Sequence, residues 1–233
     1  MKQILLPDNK ERSLAFYLAM EEYVAKEMEG ESFFVWRVEP TVIIGRNQVL
    51  ENEVNMPYCT EHGVQLVRRK SGGGCVYSDK GNIMISYVSE RGDVAAVFDR
   101  YMSALAAMLC DLGMPAVKSA RNDILVDGRK VSGNAFQQLP GKSIVHGTML
   151  YSTDLDALTE AIRPPEEKLL RHGVESVRQR VVNLEEYRDV HHVLDSVRTL
   201  EEHIVSFFTD EAVKLTSEQV LEIENQAKPY IIR

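Results

Sequence analysis

Cysteine is scarce: Cys59, Cys75 and Cys110 are the only three in 233 residues. Their number is odd, no two share CxxC spacing and no histidine cluster lies nearby, which argues against a disulfide framework or a structural zinc site. Cys110 sits in an apolar helical run and reads as core. Long hydrophobic runs are missing as well. No stretch approaches the roughly 18 apolar residues of a membrane-spanning helix, and the opening Met1-Lys2-Gln3-Ile4-Leu5-Leu6-Pro7-Asp8 is too short in apolar residues for a signal peptide. The expectation is a soluble cytoplasmic protein that does not engage a membrane. Basic charge is also short, with 27 Lys and Arg against 35 Asp and Glu, a net −8. Non-specific nucleic-acid binding needs a basic surface, so none is expected. Repeats and low-complexity tracts are absent, and so are the Gly-Lys-Ser/Thr phosphate loop and the GxGxxG fingerprint.

At 44% hydrophobic content, a chain of this length suits a core burying roughly 70% of its unfolded surface, enough for an enzyme. Its most unusual stretch is Arg68-Arg69-Lys70-Ser71-Gly72-Gly73-Gly74-Cys75-Val76-Tyr77-Ser78-Asp79-Lys80-Gly81-Asn82, set between the apolar runs Val64–Val67 and Ile83–Val88. This reads as strand, glycine loop, strand. Three glycines in a row weaken a fold unless bare backbone is needed there. A polyanion needs it: successive N–H groups form an anion-binding concavity, and neighbouring arginines can grip phosphate oxygens. The competing reading is a long hairpin loop.

Helical spacing of Leu14, Tyr17, Leu18 and Val24 after Ser13, a candidate N-cap, predicts a first helix packed on a sheet. Ser32–Val38 and Thr41–Ile44 are β-rich and read as neighbouring strands joined by a tight turn at Glu39-Pro40. Trp36 reads as core. The stripe Val97, Phe98, Tyr101, Leu105, Met108, Leu109, Leu112 predicts a long helix ending at Gly113. Asp127-Gly128 between two β-like runs is a two-residue hairpin signal, and period-two alternation would place Lys130, Ser132 and Asn134 on one face, with Val131, Gly133 and Ala135 on the other. A turn at Leu139–Lys142 and a strand over Ser143–Tyr151 complete a three-strand meander. Helical, charged sequence follows from Asp154, interrupted at Pro164-Pro165. Val193, Val197, Leu200, Ile204 and Phe208 mark a further helix, and Thr216 with Gln219 a capping box for the last.

From the residues alone, an anion-cradling loop, a strand lysine and an Asn122-Asp123 pair suggest a nucleotide triphosphate site. Lys130 is a point charge able to stabilise developing negative charge, and Asp123 is a candidate magnesium ligand. The structural alternatives are a solvated edge lysine and an ordinary Asn-Asp turn.

These motifs resemble the lipoate–protein ligase A family of the biotin/lipoate protein ligase superfamily. The likeness is carried by Arg68–Asp79 with Gly81-Asn82, by Phe34–Arg37 with Pro40–Gln48, by Arg121-Asn122-Asp123, by Gly128–Ala135 and by His146-Gly147-Thr148-Met149-Leu150, with a weaker continuation at Ser176–Leu184. The resemblance implies a single α/β (α+β) catalytic domain over 1–233, a mixed, largely antiparallel sheet flanked by helices of class II synthetase or biotin-ligase type, without a C-terminal accessory domain. It also implies ATP-dependent activation of lipoate to lipoyl-AMP, followed by transfer to a lysine of acceptor lipoyl domains. The acceptors would be 2-oxoacid dehydrogenase E2 subunits, the glycine cleavage H protein or both; the accessory domain that many relatives carry would either come from a separate partner protein or not be needed. Lys130 matches the catalytic lysine. ATP or lipoyl-AMP contacts fall on Arg69, Ser71, Gly72, Gly73, Gly74, Cys75, Val76, Asn82, Asn122, Asp123 and Lys130. The lipoate pocket falls on Arg69, Gly73, Lys130, Ser132 and His146, and Mg2+ on Asp123.

Two alternatives remain at this stage. Lipoyl and octanoyl transferases of the superfamily use an acyl-cysteine upstream of the matching lysine, where this chain has Lys118-Ser119-Ala120-Arg121-Asn122-Asp123 and no cysteine; Cys75 reads as a small-residue substitution, not a nucleophile. A non-catalytic lipoate or lipoyl-AMP binder would be expected to lack Lys130 or Asp123, and both are present.

Overall fold

A computed structural model describes residues 1–162, 180–188 and 195–232. Pro164-Pro165, the 176–179 part of the weak motif and Val193 lie outside the described residues. In chain order come β1 (Lys2–Leu5), α1 (Leu14–Glu27), β2 (Ser32–Trp36), β3 (Thr41–Ile44), α2 (Leu50–Glu53), α3 (Met56–Glu61), β4 (Gln65–Arg68), β5 (Val76–Ser78), β6 (Asn82–Glu90), α4 (Val94–Asp111), β7 (Ala116–Lys118), β8 (Asp123–Val126), β9 (Arg129–Leu139), β10 (Lys142–Leu150), α5 (Leu155–Ala161), α6 (Val197–Phe208), β11 (Ala212–Lys214) and α7 (Ser217–Ala227).

The main sheet has the order β11-β1-β2-β6-β10-β9-β8-β7. Its two end pairings, β11/β1 and β1/β2, are parallel and the others antiparallel. The mixed, largely antiparallel architecture is therefore as expected. On one face lies a core built with α1 and α7, through residues such as Leu18, Tyr23, Val220 and Ile223. The other face packs α4 and α6 through Leu105, Leu109, Leu200 and Ile204. Helix α1 is buried along almost its whole length, Glu21 and Glu22 included, which its sparse apolar spacing did not announce. It starts after Ser13 as expected, although the Ser13 side chain makes no cap bond. The capping box at Thr216 and Gln219 forms.

A second sheet of order β4-β3-β5 sits beside the first. This corrects the pairing expected for Ser32–Val38 and Thr41–Ile44: β2 bonds to β1 and β6, whereas β3 bonds to β4 and β5. Pro40 has no N–H to give a ladder, and the chain changes sheets at this point. It also refines the glycine stretch, whose first following strand is β5, not β6. Because β4 is parallel and β5 antiparallel to β3, the loop between them crosses over the end of β3. Cys110, expected in the core, is instead exposed; the buried line of α4 runs through Met108 and Leu109, and the next residue turns about 100° away from it.

Candidate active site

The glycine loop is shaped by its crossing. Gly45, just past β3, lies so close to Gly73 that a Cβ at Gly45 would overlap the Gly73 carbonyl oxygen. Gly73 has a φ of 97°, in the left-handed region that glycine accepts without strain. Arg46 N donates to Ser71 O at 3.1 Å and Arg69 N to Ile44 O at 3.0 Å, pinning both sides of the crossing. The three cations before the loop are engaged by protein. Arg68 donates to Gly45 O (3.1 Å) and Gln48 O (2.8 Å). Arg69, 5% exposed, donates to Gly72 O through Nε and Nη2 and to Gly74 O at 2.7 Å. Burial draws its guanidinium down to about 10. Lys70 Nζ stands 2.7 Å from Glu22 Oε1. The expected grip on an anion is thus taken up, in this structure, by bracing of the loop from behind. Among the described residues nothing accepts from the N–H groups of Gly72, Gly73 or Gly74, so the bare donors that glycines provide remain available.

Opposite the loop, Asp127 (φ 49°) and Gly128 (φ 76°) make the two-residue hairpin turn from β8 into β9, both with the positive φ of a type I′ turn. The expected alternation then fails. Ile124 pairs with Ser132 but Leu125 pairs with Lys130, so Val131 is an extra residue in a bulge. The bulge changes the phase of the strand. Lys130 shares its face with Gly133, where a Cβ would overlap Nζ, while Ser132 is fully buried and accepts from Asn134 Nδ2 at 3.1 Å. Lys130 Nζ reaches Asp123 Oδ1 at 2.7 Å, an ion pair outside good hydrogen-bond angles, since Asp123 Oδ1 has no hydrogen-bond partner.

Loop and hairpin bound a cavity of about 700 Å³. Arg69, Gly73, Gly74, Cys75, Val76, Asn122, Asp123, Lys130 and His146 line it; Ser71, Gly72, Asn82 and Ser132 do not. Asn82 is fully buried; its Oδ1 accepts from Met149 N at 3.1 Å, which braces β10, while its Nδ2 has no hydrogen-bond partner among the described residues. Burial pushes the Cys75 thiol up to about 12, which keeps it protonated and a poor nucleophile at neutral pH. Asp123 offers one carboxylate, and among the described residues no group of three or more His, Cys, Asp or Glu could hold a metal ion. One carboxylate beside a phosphate site is compatible with magnesium, which keeps waters and phosphate oxygens as its other ligands.

One network was not legible beforehand. Ser71 Oγ lies 2.9 Å from His146 Nε2, and His146 Nδ1 lies 2.8 Å from Glu21 Oε2. Ser86 Oγ donates to Glu21 Oε1 at 2.6 Å and Trp36 Nε1 donates to Ser86 Oγ at 2.9 Å. With the ring neutral, Nδ1–H donates to Glu21 and Nε2 accepts from Ser71. The chain of bonds ties the loop to α1 through β10. Ser71 is 2% exposed and outside the cavity, so this serine–histidine–acid chain braces the loop and presents no nucleophile. The only signal in the sequence was a pair of acids inside the apolar run of α1.

A family model, the lipoyl protein ligase A/B catalytic domain, matches residues 13–214. The chain belongs to this family. Lipoate–protein ligase LplJ of Bacillus subtilis (strain 168) is 38% identical over 175 residues, 74% of this chain and 53% of that protein. This lipoyl ligase domain therefore spans about half the length of that relative. The bi-partite lipoate protein ligase of Thermoplasma acidophilum, solved in a study of its lipoylation system and E2 lipoyl domain, superposes with a TM-score of 0.81 at 27% identity, covering 98% of this chain and 91% of that one. A lipoate–protein ligase A bound with ATP gives a TM-score of 0.79 at 25% identity, covering 98% and 93%. Both likenesses extend the lipoyl ligase fold over nearly the whole chain.

Proposed function

We propose that this domain activates lipoate with ATP and transfers the lipoyl group to a lysine of an acceptor lipoyl domain. One observation carries the reading: unpaired glycine N–H groups and the Lys130–Asp123 pair face one cavity that also has an apolar end. In the first step a carboxylate oxygen of lipoate attacks the α-phosphorus, the bond to the β-phosphate breaks and pyrophosphate leaves. In the second the acceptor ε-amine attacks the acyl carbon, AMP leaves and the amine loses a proton. Neither step needs an enzyme nucleophile; positioning and charge stabilisation suffice. The N–H groups of Gly73 and Gly74, which line the cavity, hold phosphate oxygens, and Lys130 leaves Asp123 to follow the carboxylate and α-phosphate. Asn122 lines the same wall, while Leu18, Met84 and His146 bound the acyl end. Asp123, once freed, is the residue to hold Mg2+, whose contribution is to neutralise phosphate charge.

The partners in this reading are E2 lipoyl domains and the glycine cleavage H protein, encountered in the cytoplasm. No helix among the described residues is long and apolar enough to cross a membrane. A separate accessory-domain protein assists activation, a proposal supported by the likeness to a bi-partite ligase. The buried, protonated Cys75 and the cysteine-free stretch before Lys130 speak against a cysteine transferase. Pyrophosphate release with lipoate and ATP tests activation, and mass analysis of an acceptor domain given preformed lipoyl-AMP tests transfer. Failure of both overturns the reading; robust pyrophosphate release by the domain alone removes the need for an assisting protein.

A further inference from the structure

Glu53 has no part in the chemistry above. Its side chain is 9% exposed and lines the cavity, and among the described residues it receives no hydrogen bond and makes no ion pair. A carboxylate without a partner on a cavity wall is a ready acceptor for a donor that enters the cavity. Its field is felt at Cys75, whose thiol it helps to raise.

The surroundings narrow the donor. The cavity has two apolar ends. One draws on the α1 core, through Leu18, Ile43 and Met84, and carries no carboxylate on its wall. The other draws on a separate cluster, with Tyr77, Leu158, Cys75 and Ile162 lining it, and Glu53 is the acid there. The antiparallel bridge between Val54 and Ile162 holds the end of α2 against this wall. An acyl chain suits the first end, since it has nothing to offer a carboxylate. A planar base suits the second, where apolar side chains can cover its faces and one acceptor meets its edge. A ribose would leave its hydroxyls against the apolar walls.

We propose that Glu53 accepts a hydrogen bond from the exocyclic amine of adenine and so helps to choose the nucleotide. The inference rests on the adenylate-forming reading and adds a specificity-determining residue to it. Calorimetry with the full chain tests it, using a non-hydrolysable acyl-sulfamoyl adenosine and its purine riboside counterpart, which lacks only the amine. These probes need no activation step and no acceptor. The wild type is expected to bind the adenosine form at least about tenfold more tightly, equivalent to about 1.4 kcal/mol. Glu53→Ala, with an unchanged melting profile, should bring the two within about twofold. Glu53→Gln, which keeps an acceptor oxygen, should retain most of the preference. A preference that survives Glu53→Ala, or a wild type indifferent to the amine, overturns this assignment and leaves the ligase reading standing. A wild type that binds neither analogue overturns the ligase reading itself.

Discussion

Gly133 lies against the end of Lys130, so closely that a methyl group at residue 133 would occupy the space of the Lys130 ammonium. The neighbouring atoms are the far end of a flexible side chain, which can move aside. Gly133→Ala should therefore leave the fold nearly intact, with a melting temperature within a few degrees, and displace the ammonium from Asp123. The expected result is a fall in lipoyl transfer of about tenfold or more, on the scale lost by small misplacements of a positioned group. Steady-state transfer to an acceptor domain checks it, and an unchanged rate would mean that Lys130 does not act from this position.

Arg69 organises the loop from beneath, through the carbonyls of Gly72 and Gly74. Arg69→Lys keeps a charge but loses the forked geometry that spans two carbonyls. Nucleotide affinity should fall about tenfold or more, with faster amide hydrogen exchange across Gly72–Cys75. Equal affinity with equal exchange would show that the brace is dispensable.

Glu21 is the buried anchor of the bonds to His146 and Ser86. Glu21→Ala leaves both donors without an acceptor, which costs about 1–3 kcal/mol for each unsatisfied group. Denaturant unfolding should show a loss of about 2–6 kcal/mol for the two groups together. In the wild type, nitrogen NMR should find the His146 proton on Nδ1; finding it on Nε2 would contradict the bonding order described here.

Glu22 links acid stability to the end of the chain. Burial would raise its carboxyl, but hydrogen bonds from Lys70 and from Tyr230, whose hydroxyl is 2.7 Å away, outweigh burial and hold it below the ordinary value. A carboxyl lowered by folding stabilises the protein above its unfolded pKa, and that contribution is lost as pH falls through the folded value. Tyr230→Phe should cost about 1 kcal/mol at neutral pH and progressively less as the pH is taken below about 4.5. Melting curves from pH 7 to pH 3 test this; a difference that stays constant would place the effect of Tyr230 in packing.

The parts of this architecture readable in advance are those written locally. Asp127-Gly128 encodes its turn in two residues, and α4 ends where Gly113 stops its stripe. The glycine run advertised bare backbone for the same reason. Pairings across long separations were not readable: β3 left β2 for another sheet, and His146 met a glutamate 125 residues earlier. The bulge at Val131 reversed the strand phase because register belongs to the partner strand as much as to the sequence. Glu53 gave no signal, since a four-residue helix carries no periodicity.

Lys130 is proposed to stabilise charge during acyl transfer, and mass spectrometry of an acceptor lipoyl domain reads that transfer out. Incubated with preformed lipoyl-AMP, the wild type should convert the domain to its lipoyl form, and Lys130→Ala, folded as judged by its melting curve, should be slower by about 100-fold or more. Transfer by Lys130→Ala at the wild-type rate would mean that Lys130 has no such role.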